Sequence, residues 1–221
     1  MFIGGIYMLN RAIPQFIDRL IGKPAPVTTA DELEMFIARQ SAFISQKCTV
    51  EYCRARAGLN WDKLFKEQTF IEAMEICRWE ALGAITVDMV DVVWDRLRPH
   101  VTADLMEDVS TGLCRIGQSV LYHHKVPEWR QERWQPEADQ IEQNMKSASI
   151  RVARTVPETT ARSARLVFEH LPIHPELRKH DTELITNNIA FNAIRAAEDL
   201  DLSADWPNLV RHLAGATNGK G

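Results

Sequence analysis

Apolar residues recur at helical spacing along nearly the whole chain, and this constrains its fold more than any other feature. Ile13, Phe16, Ile17, Leu20 and Ile21 fall at i, i+3, i+4, i+7 and i+8, and Gly22 and Pro24 follow as stop signals. A longer helix is expected from about Asp31 to Ala57, opened by Thr28 and Thr29 with Asp31 and Glu32 in its first turn, and closed by Gly58. Phe70, Met74, Cys77, Ala81 and Ile85 mark a third stripe. The next segment, "TVDMVDVVWDRLRP", reads as amphipathic. Val90, Val93, Trp94 and Leu97 share one side, Asp88, Asp91 and Asp95 share another, and Pro99 ends it.

The same spacing continues downstream. Leu105, Val109, Leu113, Ile116 and Val120 form one stripe, and Ile141, Met145, Ala148 and Val152 form another. Ala161, Ala164, Phe168 and Leu171 precede a last long stripe of Ile185, Ile189, Ala193, Ala196 and Leu200, with a short piece after Trp206. Nowhere do β-branched residues alternate with polar ones, and no Asn-Gly turn joins two apolar runs. The expected fold class is therefore all-α, a helical bundle of about eight or nine amphipathic helices.

A chain of 221 residues that is 45% hydrophobic can bury its own core. The expected organisation is an amphipathic arm over 1–24, a single helical domain over 25–214 and a disordered tail over 215–221. A sub-boundary is expected near 123–136, where Pro127 and Pro136 bracket a polar connection containing Trp129 and Trp134. A net charge of −4 speaks against nucleic acid as a partner. "MFIGGIYMLNR" lacks a basic flank and a small-residue cleavage site, so a cytoplasmic location with reduced thiols is expected. Cys48 and Cys53 would lie about 140° apart around a helix, too far to share a metal. No C-x-x-C occurs, and no metal or cofactor is expected. "MFIGGIYML" is shorter than the roughly twenty apolar residues a membrane span needs. The arm is expected to pack on a helix or a second subunit, the alternative being weak in-plane contact with a membrane surface through residues 2–21.

Some polar residues break the apolar pattern. Gln40, Lys47, Glu51 and Arg54 lie between or beside the two flanks of the 31–57 helix, one carrying Leu33, Ile37, Ile44 and Cys48, the other Phe36, Phe43 and Val50. Asn188, Asn192 and Arg195 form a second column on the last long helix. Buried polar groups need partners, so the two columns are expected to meet or to border a cavity. Glu80 lies close to the Cys77/Ala81 stripe and is a further candidate. A network that sets helix register would satisfy them. So would a pocket for an amphipathic anionic small molecule, with Arg54 and Arg195 holding the anion and Asn188 and Asn192 orienting it.

Motifs for catalysis are missing. There is no G-x-S-x-G elbow, no phosphate-binding glycine loop and no Glu-x-x-His pair of the di-iron bundles. Pro172 and Pro175 separate His170 from His174, and His123-His124 are expected to be solvated. Arg151 and Arg154, with Gln140, Gln143 and Ser147, form a polar face without a carboxylate, suited to solvent or to an anionic partner. Trp129 and Trp134 are expected as interface anchors. The sequence thus points first to a non-enzymatic interaction or adaptor protein that self-associates or binds a protein partner. A small-molecule carrier or sensor is the alternative, and an enzyme using Lys47 or Glu51 comes third.

Overall fold

The computed structural model describes residues 25–215; the expected N-terminal arm and nearly all of the expected tail lie outside them. Among the described residues there are helices and no strand. The sole bridge pairs Val27 with Ala204, through Val27 N–H to Ser203 O and Asp205 N–H to Val27 O, both 3.0 Å.

The first helix, α1 (Ala30–Gln46), opens on Thr29 with a reciprocal capping box: Glu32 N–H donates to Thr29 Oγ1 at 3.3 Å, and Thr29 N–H to Glu32 Oε2 at 3.0 Å. It runs through a π-helical turn (Lys47–Glu51) into α2 (Tyr52–Ala57), so the expected long helix contains one wide turn. The extra residue swings the following side chains around the axis. Tyr52 thereby faces inward, and its hydroxyl donates to Asp181 at 2.6 Å. Gly58, at φ 53°, ends the run in a conformation that costs only glycine nothing.

After the single turn α3 (Trp61–Leu64) comes α4 (Gln68–Leu97), one 30-residue helix where the stripes suggest two. It is the axis of the fold. α5 (Met106–Tyr122), α6 (Glu128–Lys146), α8 (Ala161–His170) and α10 (Thr182–Ser203) pack around it together with α1. From Gly83 to Trp94 every side chain is buried. The amphipathic reading of "TVDMVDVVWDRLRP" is therefore overturned, because Asp88 and Asp91 point at other helices rather than at water. A helix enclosed on all sides has no solvent face to offer them.

Close approach is bought with small residues at two crossings. A Cβ on Gly112 of α5 would sit 2.4 Å from the carbonyl oxygen of Leu213, on α11 (Trp206–Gly215). One on Gly117 would meet Val90 Cγ2 of α4 at 2.7 Å. Pro136 also departs from expectation: it lies inside α6, exposed, rather than closing a connection. Solvent can satisfy the carbonyl that its missing N–H leaves unbonded. Trp134 is accordingly a core residue, its indole N–H donating to Leu121 O at 3.0 Å, while Trp129 remains exposed. Because α6 stops at Lys146, Val152 falls off its expected stripe and onto the surface. Two single turns, α7 (Val156–Thr159) and α9 (Pro175–Arg178), complete the chain, and one continuous apolar cluster runs from Val27 to Leu213. Among the described residues, no helix is long and apolar enough to cross a membrane.

Candidate functional site

The polar columns lie on neighbouring elements, since α10 packs against α1 and the π turn, but of their residues only Gln40 and Asn192 are buried. Gln40 is buried, and its amide nitrogen finds no hydrogen bond among the described residues. Lys47 is half-buried over the Phe43 ring, while Glu51 and Arg54 are exposed, Arg54 lying 4.9 Å from the Trp61 ring centroid. Asn192 is buried and satisfies itself locally, its amide donating to Asn188 O and Oδ1, both at 2.7 Å. Arg195 is exposed, over Phe191. None of these residues lines the groove beside residues 150–153 or the groove between α1 and α5.

The polar groups with unusual surroundings lie instead along one face of α4. Glu80, Asp88, Asp91 and Asp95 repeat at intervals that keep them on one side of a helix. Their partners come from other elements. Arg130 Nη2 stands 2.8 Å from Glu80 Oε2 and 3.6 Å from Glu137 Oε1, and Arg162 Nη2 donates to Glu137 Oε2 at 2.9 Å. Burial pushes the Asp88 carboxyl up to about 7, although Ser163 hydrogen-bonds it and Arg162 lies nearby. Glu80, Arg130 and Glu137 are all buried, which leaves this end closed to any ligand.

The other end reaches the surface. The turn after α6, residues 147–155, is drawn onto α4 by its arginines. Arg151 Nη2 lies 3.3 Å from Asp91 Oδ1 and 3.4 Å from Asp95 Oδ1, and Arg154 also donates to Asp91. Asn144 Nδ2 adds a bond to Asp91 at 2.9 Å. The backbone of the turn is held as well. Trp94 Nε1 donates to Ala148 O at 3.2 Å, and Arg98 donates to Arg151 O and, at 3.4 Å, to Ser149 O. Burial raises both Asp91 and Asp95 above the ordinary carboxylate range, with Arg151 offsetting only part of the effect. Burying these carboxylates carries an electrostatic cost at neutral pH, and Arg151 and Arg154 from the turn reduce it.

With its charges turned inward, the turn presents its aliphatic residues outward. Ile150 and Val152 are each 85% exposed. They flank an open groove of about 510 Å³ whose other walls include Arg98, Pro99 and Met106. A second groove, of about 380 Å³, lies between α1 and α5; there Glu34 accepts from Ser119 Oγ at 2.8 Å and pairs with His123 Nδ1 at 2.9 Å. His123 is exposed as expected, but His124 is half-buried against the edges of Trp79 and Trp134, and burial lowers its pKa. Among the described residues, no group of three His, Cys, Asp or Glu side chains could hold a metal ion.

Arg151 and Arg154 were legible as a basic pair, but they do not form a free anion site, because α4 supplies the carboxylates that their own segment lacks. A signal for this existed in the sequence. Asp88, Asp91 and Arg151 each have no opposite charge three or four residues away, so each had to find one elsewhere. No protein-family model, curated protein or solved structure matches the chain.

Proposed function

We propose that this protein is a non-catalytic helical interaction protein that docks a protein segment, aliphatic and acidic in character, on the 147–155 turn and the groove beside it. One observation carries the reading: Ile150 and Val152 stand out at 85% exposure on a turn whose arginines are anchored to buried aspartates. An ordinary surface turn does the reverse, solvating its charges and tucking its aliphatic groups inward. Here Arg151 and Arg154 turn inward to offset part of the burial of Asp91 and Asp95, and the aliphatic groups are left outside. Such an arrangement stabilises a presented surface rather than the fold.

The chemistry of the partner follows from the same residues. Pro99, Met106, Ile150 and Val152 offer an apolar contact. Arg151 and Arg154 pair with Asp91 and Asp95, while Arg98, which donates to carbonyls of the turn, adds a guanidinium to the groove wall that can attract a carboxylate. The groove holds a few side chains, not a folded domain. The small-molecule readings lack comparable support, because their residues line neither groove.

Selection of displayed random peptides on the full-length protein tests this, with counter-screening on an Ile150→Asp/Val152→Asp variant. Peptides combining aliphatic residues with Asp or Glu should be enriched and should bind the variant about tenfold or more weakly, a loss of one or two interface side chains. Failure to enrich any such class, or equal binding to the variant, would reject the reading.

A further inference from the structure

The helix α10 has two faces of different kinds. Its inner face, carrying Ile185, Ile189, Ala193, Ala196 and Leu200, is buried against α4 and α8. On the opposite face Leu184, Phe191 and Leu202 are 54%, 58% and 78% exposed. Asn188, Arg195 and Glu198 fill the positions between them, so six residues advance by alternating steps of four and three. At about 100° per residue this keeps all six within roughly 80° of arc, the geometry of a helix-pairing seam.

We infer that a second copy of this chain covers the seam, with the two α10 helices antiparallel about a two-fold axis near Ala193. A two-fold interface requires a surface complementary to itself read backwards. This one meets the requirement residue by residue. Leu184 comes opposite the partner's Leu202, Asn188 opposite the partner's Glu198, and Phe191 opposite the partner's Arg195. Each pairing is chemically favourable: aliphatic on aliphatic, amide donor to carboxylate, and guanidinium on an aromatic face. Arg195 already rests 5.9 Å from the Phe191 ring centroid of its own chain, so it gives up little freedom on meeting a second ring. From Leu184 to Leu202 the seam spans about 27 Å, most of the length of the 22-residue helix. With one helix on each side it lies at the small end of stable interfaces. It lies on a different element from the 147–155 turn, and neither surface depends on the other.

Sedimentation equilibrium on the full-length protein measures the association. A reversible dimer is expected for the wild type, and Phe191→Glu should weaken it at least about 100-fold, because two-fold symmetry counts the change twice. Circular dichroism should show unchanged helicity for this surface substitution. An Asn188→Cys/Glu198→Cys variant should cross-link between chains under mild oxidation. Asn188→Cys alone should not, since two copies of position 188 would stand about 15 Å apart in this register. A wild type that stays monomeric at high micromolar concentration overturns the inference, and so does a dimer that tolerates Phe191→Glu. A monomer in which Phe191→Glu instead speeds tryptic cleavage at Arg11, Arg19 or Lys23 would assign the seam to the chain's own N-terminal segment and overturn it equally.

Discussion

Replacing Arg130 by methionine removes the cation from the most enclosed ionic group of the protein. The side chain is 1% exposed, and its guanidinium serves Glu80 at 2.8 Å and Glu137 at 3.6 Å while lying 5.4 Å from the Trp134 ring centroid. Methionine fills most of the volume, so the cavity contribution is small and the loss is chiefly electrostatic. Glu137 keeps Arg162 at 2.9 Å, whereas buried Glu80 loses the guanidinium that stands 2.8 Å from it. Breaking a buried pair in this way costs about 3–5 kcal/mol. For a chain of this size, each kcal/mol lowers Tm by roughly 2–4 °C, so thermal unfolding followed by circular dichroism should show a fall of about 6–20 °C. Glu80→Leu/Arg130→Met, which removes both charges, should return to within about 1 kcal/mol of the wild type, because burying neither charge avoids the desolvation that the pair only offsets. Arg96→Ala, which breaks an exposed pair with Asp201, should cost less than about 1 kcal/mol. A cost below about 1 kcal/mol for Arg130→Met, or a double variant less stable than the single one, would refute this electrostatic account.

Two further outcomes follow from the packing and the charges. Gly112→Ala puts a Cβ 2.4 Å from the Leu213 carbonyl oxygen, and backbone cannot yield as a side-chain tip can, so α11 must move. A loss of about 2–3 kcal/mol is expected in denaturant unfolding, and a neutral result would mean that α5 and α11 do not cross there. Asp88 titrates near 7 in the fold, chiefly because of burial, against about 4 when unfolded. The folded state therefore holds the extra proton, so this group's stabilising contribution is full below pH 4 and disappears as pH rises towards and through 7. Asp88→Asn should flatten that fall in a pH series of thermal melts; an unchanged slope would show that Asp88 is not responsible.

How much could be read in advance differs from element to element. Gly58, the Thr29 cap and the inner stripe of α10 lie where the pattern placed them, because caps and apolar spacing are local properties of the chain. The centre of α4 was misread for an equally specific reason. Asp88, Asp91 and Asp95 at helical spacing look the same whether they face water or arginines from elsewhere in the chain. Pro136 resembled a boundary because proline disfavours helix interiors on average, while its cost at one exposed position depends on who takes the freed carbonyl. Of the expected pocket residues Gln40, Lys47, Glu51, Arg54, Asn188, Asn192 and Arg195, only Gln40 and Asn192 are buried, because rotation about the helix axis, including that introduced by the π turn, decides which polar residues face inward.

The sequence by itself determined that this protein is built of helices, which of their faces are apolar, and that it carries charges without local partners. Those are consequences of spacing along one chain. Only the tertiary structure decided that α4 is enclosed from Gly83 to Trp94, that Asp91 and Asp95 hold Arg151 and Arg154, and that Ile150, Val152 and Phe191 are left outside. The physical reason is that burial and ion pairing are properties of what approaches a residue from elsewhere in the chain. The 60 or so residues between Asp91 and Arg151 leave no local trace of that meeting.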